Sequence, residues 1–398
     1  MKLHPLLVKA VEEALNEIFN NGKYADKVIE KLLKSNPKWG SRDRSFIAET
    51  TYDCVRWWRL YAHLCEKSGL RDSWTNMIGI CLTLKHAQTP DYKDFAHLDF
   101  LKLQSKRASI SERKIKESIP DWLDEIGEIE LGVSKWAAEI AALNKPADVV
   151  LRVNTLKISV LDLQKKLDEI GWATENSPLS KNALILKKRG SIFQTEFFKN
   201  GFFEVQDAGS QHIAPFLQVE SGMRVIDACA GAGGKSLHLA TLMHNKGTLI
   251  SLDTEGWKLE ELKKRAKRNG IHIIETRTID STKVIKRLYD SADRLLLDVP
   301  CSGLGVLRRN PDAKWKLKPD FLEKVRNTQQ QILEDYSKML KIGGKMVYAT
   351  CSILPSENEQ QVKIFLEHNP NFKQLDECTI SPATEGCDGF YMALLERI

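Results

Sequence analysis

Val225-Ile226-Asp227-Ala228-Cys229-Ala230-Gly231-Ala232-Gly233-Gly234-Lys235-Ser236 decides the fold. A short apolar run of strand character enters a glycine-rich turn, and the turn opens a helix over Leu237 to Met243. Glycines in such a turn permit positive φ angles and let backbone amides approach a ligand closely. The spacing is not GxGxxG, the dinucleotide fingerprint. Nor is it a phosphate-binding GxxxxGK[ST] loop, because Cys229 stands five before Gly234 where that loop needs glycine. A second apolar run, Thr248-Leu249-Ile250-Ser251-Leu252-Asp253, ends in an acid 22 positions after Gly231, the distance at which a carboxylate meets ribose hydroxyls. Asp280 follows the next run and is expected to face an adenine amine. Helix N-capping is the competing reading for either acid alone.

Outward from that turn, strands are expected at 223–229, 247–253, 273–279, 293–298 and 344–350. Helices are expected near 235–244, 257–269, 281–289, 319–341 and 356–368. Strict alternation predicts a parallel, doubly wound sheet. The last stretch, Asp388 to Leu395, lacks a helix-length partner and is expected to close the sheet as an antiparallel strand. Before this domain, Val149–Asn154, Leu184–Leu186 and Gly201–Gln206 read as strands and Ser159–Ile170 as a helix, a small α+β module. Residues 1 to about 130 read as helical: Leu7, Val11, Leu15 and Ile18 recur near the 3.6 period, as do Val28, Leu32 and Leu33, then Phe46, Ile47, Tyr52, Val55 and Trp58. The expected domains are therefore 1–130, 131–215 and 216–398.

Composition narrows the class. The chain has 398 residues, 28% charged and 42% hydrophobic, with a net charge of +6. No apolar run approaches the roughly 18 residues of a membrane span. Met1-Lys2-Leu3-His4-Pro5 has neither an apolar core nor a small-residue cleavage site, so no signal peptide is expected. The eight cysteines form no CxxC and no zinc spacing, which argues against a metal and fits a reducing cytoplasm. Residues 141–200 hold ten Lys/Arg against six Asp/Glu, a composition that suits a phosphate backbone or simply a solvated face.

Two cysteines sit at strand ends, in Leu295-Leu296-Leu297-Asp298-Val299-Pro300-Cys301 and in Val347-Tyr348-Ala349-Thr350-Cys351-Ser352. In an open parallel sheet ligands bind beyond the carboxyl ends of the strands, so both sulfurs are expected in one crevice. Carbon 5 of cytosine is a weak nucleophile until a thiolate adds at carbon 6, so paired thiols suit chemistry on a pyrimidine ring. Asp298 is placed as the acid near ring nitrogen 3. Lys235 and a helix beginning near Ser356 are candidates to activate the thiolate. Spacing alone leaves the two thiols interchangeable. Methylation of an exocyclic amine, by contrast, calls for an aromatic platform where Cys301 stands.

Asp-Ala-Cys-Ala-Gly-Ala-Gly-Gly-Lys-Ser (227–236), Asp-Val-Pro-Cys-Ser-Gly-Leu-Gly (298–305), Arg308-Arg309-Asn310-Pro311-Asp312 and Tyr348-Ala349-Thr350-Cys351-Ser352 with Glu357-Asn358-Glu359 resemble the Sun/Fmu (RsmB-like) family of RNA cytosine-5 methyltransferases. So do Arg152-Val153-Asn154-Thr155, Gln206 to Ser210 and Gly389-Phe390-Tyr391. The likeness runs over about 119–398, and the start, from Arg42-Asp43-Arg44 to Arg56, is more faintly similar to a NusB-like RNA-binding domain. The resemblance implies a Rossmann-like methyltransferase sheet and S-adenosyl-L-methionine as cofactor. It implies that Cys351 adds to the base while Cys301 assists release. The cofactor would be held by Cys229, Ala230, Gly231, Ala232, Gly233, Gly234, Lys235, Asp253, Asp280 and Asp298. Ala232 departs from the proline usual in the family. Arg152, Asn154, Arg308, Arg309 and Lys314 are expected RNA contacts, ribosomal RNA the expected substrate, and a monomer without metal the expected form. The alternatives are a transfer RNA methyltransferase, a non-catalytic RNA-binding assembly factor, and an NAD-dependent oxidoreductase, the last disfavoured by the missing GxGxxG.

Overall fold

A computed structural model describes residues 3–398, so Met1 and Lys2, at the start weighed for a signal peptide, lie outside the described residues. The chain divides into two compact units. One is the chain up to Lys145 together with Leu307–Pro319; the other is Pro146–Val306 with Asp320–Ile398. This differs from the expected boundaries at 130 and 215. Helices continue to Leu143, and the small α+β module clusters with the catalytic sheet rather than standing alone.

The first unit is helical, as its periodicity predicts. Helices Pro5–Phe19, Ala25–Ser35, Ser41–Arg56, Trp58–Lys67 and Trp74–His86 bury Val11, Leu15, Ile47, Val55, Leu64 and Ile78 in one core. The run expected to continue through Trp58 breaks at Trp57, whose φ of −109° and ψ of 20° leave the helical region. Asp43 accepts the Gly40 N–H at 3.0 Å from the N3 position. Leu307–Pro319 belongs to this core although it lies far along the chain. Trp315 packs edge-on to Trp58 with centroids 4.9 Å apart and donates its indole N–H to the Val55 carbonyl at 2.7 Å.

The second unit holds two sheets. Strands β1 (Val150–Val153), β2 (Thr174–Asn176), β3 (Ala183–Leu186) and β4 (Phe203–Val205) form an antiparallel sheet in the order β2-β3-β1-β4. Strands β5 (Arg224–Asp227), β6 (Thr248–Asp253), β7 (Ile274–Thr278), β8 (Ala292–Asp298), β9 (Leu340–Thr350), β10 (Phe372–Ile380) and β11 (Phe390–Arg397) form the larger sheet, ordered β10-β11-β9-β8-β5-β6-β7. Pairing is parallel from β9 through β7 and antiparallel at β11 and β10. The order reverses at β5, so the crevice beyond its carboxyl end is a topological switch point, where ligands bind in such sheets. β5, β6, β8 and β9 carry near-continuous buried runs because helices cover both faces. The expected closing strand is present as β11, but β10, which the sequence did not predict, lies outside it at the edge.

Candidate active site

At the end of β5 the chain turns through Gly231 (φ +53°) and Gly233 (φ +84°) before the helix Gly234–Leu242 begins. A Cβ on Gly233 would stand 2.4 Å from Leu262 Cγ, so both backbone conformation and space demand glycine there. The turn is held from outside. Gly231 N–H donates to Asp253 Oδ2 at 2.8 Å, the Arg265 guanidinium donates to the Ala232 carbonyl at 2.7 Å, and that of Arg152 donates to the Gly234 carbonyl at 2.6 Å. Glu204 on β4 accepts from Arg265, Arg268 and Asn269.

A cavity of about 1000 Å³ opens beside the turn. Cys229, Gly231, Asp253, Ile279, Asp298 and Pro300 are among its walls. Burial pushes the Cys229 thiol well up, reinforced by the carboxylates of Asp227, Asp298 and Asp253. Behind the turn, burial raises the Asp227 carboxyl to about 7 against the Ser236 hydroxyl, which donates to it at 2.6 Å. Asp253 thus lies on the cavity, its other oxygen accepting the Glu255 N–H at 2.8 Å. Asp280 is exposed and accepts the Ser281 hydroxyl at 3.0 Å, while its neighbours Ile279 and Thr282 line the cavity.

The two thiols meet. Cys301 Sγ and Cys351 Sγ are 3.2 Å apart, both half-buried. Lys235 Nζ donates to Asp298 Oδ2 at 2.6 Å. Burial opposes the charge of Lys235, yet Asp298 and the facing Cys351 sulfur hold its pKa above the usual lysine range. The Cys301 thiol is raised well above its ordinary value by its hydrogen bond with Cys351, then by burial and by the Glu357 charge. The sequence reading had a helix beginning near Ser356 as a source of positive potential. The structure corrects this: Pro355–Glu357 is a single 3-10 turn, the helix runs Glu359–His368, and Glu357 presents a carboxylate to the thiol loops.

Four of the five expected RNA contacts are buried. Arg152 is 3% exposed and Asn154 4%; the first braces the glycine turn, and the second donates to the carbonyls of Gly201 and Asn269 at 2.9 and 3.0 Å. Burial lowers the Arg152 guanidinium to about 9. Arg308 is buried too, and Lys314 is 1% exposed, its ammonium donating to the Arg56 carbonyl at 2.7 Å and to Asn144 Oδ1 at 3.1 Å. Side chains so enclosed reach no phosphate in this conformation. Arg309 alone of the five is half-exposed. Arg265, Gln329 and the role of Glu357 escaped the sequence reading. Only Glu357 left a signal, in the Glu357-Asn358-Glu359 run that begins five residues after Ser352.

The sheet order, the glycine turn and the cavity define a Rossmann-like methyltransferase fold. Solved structures share it. "Crystal Structure of PH0851" superposes with a TM-score of 0.84 over 100% of both chains at 26% identity. NSun6 from Pyrococcus horikoshii, determined with SFG, shares the fold with a TM-score of 0.64 over 70% of this chain and 98% of that one, at 21% identity. A family profile described as 16S rRNA methyltransferase RsmB/F matches residues 214–396, and one for the ferredoxin-like domain of the same group matches 119–193. The probable ribosomal RNA small subunit methyltransferase B of Synechocystis sp. is 30% identical over 96% of this chain and 97% of its own length. The chain belongs to the RsmB/F family of RNA methyltransferases.

Proposed function

We propose that this protein is an S-adenosylmethionine-dependent RNA (cytosine-5) methyltransferase that works through a covalent cysteine adduct, with ribosomal RNA as substrate. The observation that carries the reading is the pair of sulfurs 3.2 Å apart at the ends of adjacent parallel strands, beside a cavity walled by Asp298 and Pro300.

The residues present fit the cofactor. The Gly231–Gly233 turn leaves open backbone, and Asp253 offers a carboxylate for ribose hydroxyls. S-adenosylmethionine supplies, when bound, the methyl group that carbon 5 of the base receives. The chain's own work begins with a base flipped out of its stack into the crevice. The Cys351 thiolate forms a bond to carbon 6. The Asp298–Lys235 pair acts as the acid at ring nitrogen 3 and stabilises the electron-rich ring of the adduct. Once carbon 5 carries its methyl group, Cys301 assists removal of the carbon 5 proton. The pair of electrons returns to the ring, the bond to Cys351 breaks, and the product leaves.

All eight cysteines are free, which suits a reducing cytoplasm. Among the described residues no helix is long and apolar enough to cross a membrane. Bisulfite sequencing of total RNA from a strain lacking the gene tests the function: one 5-methylcytosine should disappear, and an unchanged map sinks the reading.

A further inference from the structure

Strand pairing does not set the distance between the two thiols. The β8/β9 ladder ends at Asp298 opposite Ala349, so Cys301 and Cys351 both lie beyond it, in loops. Beside the Gly305 N–H donated to the Cys351 carbonyl at 2.9 Å and the Ser302–Ser352 hydroxyl contact at 3.3 Å, one carboxylate ties the residues that directly follow the two thiols. Glu357, with no exposed surface, accepts the Ser302 hydroxyl at 2.5 Å and the Ser352 hydroxyl at 2.6 Å on Oε1. On Oε2 it accepts the Ser302 N–H at 2.7 Å and the Gln329 amide at 3.2 Å. Ser302 and Ser352 each directly follow a cysteine. The same Gln329 amide donates to the Pro300 carbonyl at 3.0 Å, just before Cys301.

A buried charge is costly unless its oxygens are satisfied, and here four donors satisfy them. An ionised carboxylate is acceptor-only and takes all four at once, which a neutral amide of the same size does not. The backbone around Glu357 is fixed in turn. Tyr348 Oη donates to its carbonyl at 2.7 Å, and Asn358 accepts from Thr350 at 2.5 Å while donating to the Ser352 carbonyl at 3.1 Å. The Glu357 charge also adds to the rise of the Cys301 thiol.

We propose that Glu357 is a positioning residue: it clamps the Pro300–Ser302 and Thr350–Ser352 loops together and so keeps both thiols in register for addition and release. It acts through Ser302, Ser352 and Gln329 and touches neither base nor cofactor. The inference deepens the cysteine-adduct reading and rests on it for its catalytic consequence.

The test uses the full chain carrying Glu357→Gln, or the milder double variant Ser302→Ala/Ser352→Ala, with folding checked by circular dichroism. Phenylarsine oxide, which bridges two adjacent thiols, reports their juxtaposition directly, with Cys301→Ala/Cys351→Ala as the blank. Glu357→Gln is expected to lose the bridged arsenical and about 100-fold in kcat, because a displacement near 1 Å costs that much. KM for RNA and Kd for S-adenosylhomocysteine should stay within about threefold, since neither binding surface is altered. The double serine variant should lose roughly tenfold per hydroxyl removed. A folded Glu357→Gln protein that keeps the arsenical bridge and kcat within about threefold overturns the clamp. If Glu357→Gln does not fold, the serine variant decides on the same two readouts. Absence of any protein–RNA adduct from Cys301→Ala removes the cysteine-adduct reading instead, and the arsenical result then still decides whether Glu357 holds the thiols together.

Discussion

The two cysteine loops begin alike and end differently. Each leaves a buried parallel strand, each places serine directly after cysteine, and each sends that serine's hydroxyl to Glu357. After Cys351 the chain stays in the second unit. After Cys301 it runs only to Val306 before Leu307–Pro319 joins the core of the helical unit. Their surroundings differ as well: Cys351 contributes to the raised Lys235 pKa, whereas the Cys301 thiol is raised by its neighbour sulfur, by burial and by Glu357. Two equal motifs in sequence become unequal groups in space, an asymmetry on which the proposed division of roles can be tested.

The sharpest way to break that asymmetry is to remove each sulfur in turn. Cys351→Ala should lower methylation by about a thousandfold or more with S-adenosylhomocysteine binding unchanged, as measured by isothermal titration. Cys301→Ala should cut turnover by about a hundredfold and accumulate a slow-migrating protein–RNA species on denaturing gels, since addition proceeds and release fails. If both variants accumulate that species equally, the loops are interchangeable after all. Lys235→Met removes the cation paired with Asp298, and should slow adduct formation in the Cys301→Ala background roughly 10- to 100-fold.

Smaller effects probe how the loops are tied down. Gly305 N–H donates to the Cys351 carbonyl at 2.9 Å and its own carbonyl accepts from Gly389, and an added Cβ would stand 2.3 Å from the Gly389 oxygen. Gly305→Ala should therefore destabilise the second unit by about 1–3 kcal/mol in thermal melts. Trp315→Ala should cost about 2 kcal/mol, confined to the helical unit, because only the chain beyond Cys301 depends on that anchor. Hydrogen exchange on 307–319 separates the two cases.

The catalytic sheet was legible because its signals are local. Glycines at positive φ, a carboxylate at each of three strand ends and continuous apolar runs all leave their mark within ten residues. β10 left none. Lys373, Gln374, Asp376 and Glu377 face solvent on an edge strand, where charge discourages further pairing, so no apolar alternation betrays it. Arg152 misled for the opposite reason. Its partner carbonyl on Gly234 is 82 residues away, and nothing near Arg152 in the chain distinguishes a guanidinium that braces a backbone from one that meets phosphate. Lys314 hides in the same way, its acceptors lying 258 and 170 residues upstream. The Cys301–Cys351 convergence was expected from strand ends, but the carboxylate that links their loops belongs to a turn the sequence suggested was a helix.

The return of Leu307–Pro319 to the helical core bears on how the protein is made. Residues up to Lys145 leave the ribosome before Leu307–Pro319, yet their core is incomplete until Trp315 follows, 170 residues later. At synthesis rates of about 5–20 residues per second, that is a wait of roughly 9–34 s with the Trp58 face uncovered. Contacts separated by so much chain also form slowly. The nascent helical unit is thus the stage at which a chaperone has most to protect, and the catalytic loop downstream of Cys301 supplies the piece that ends the need.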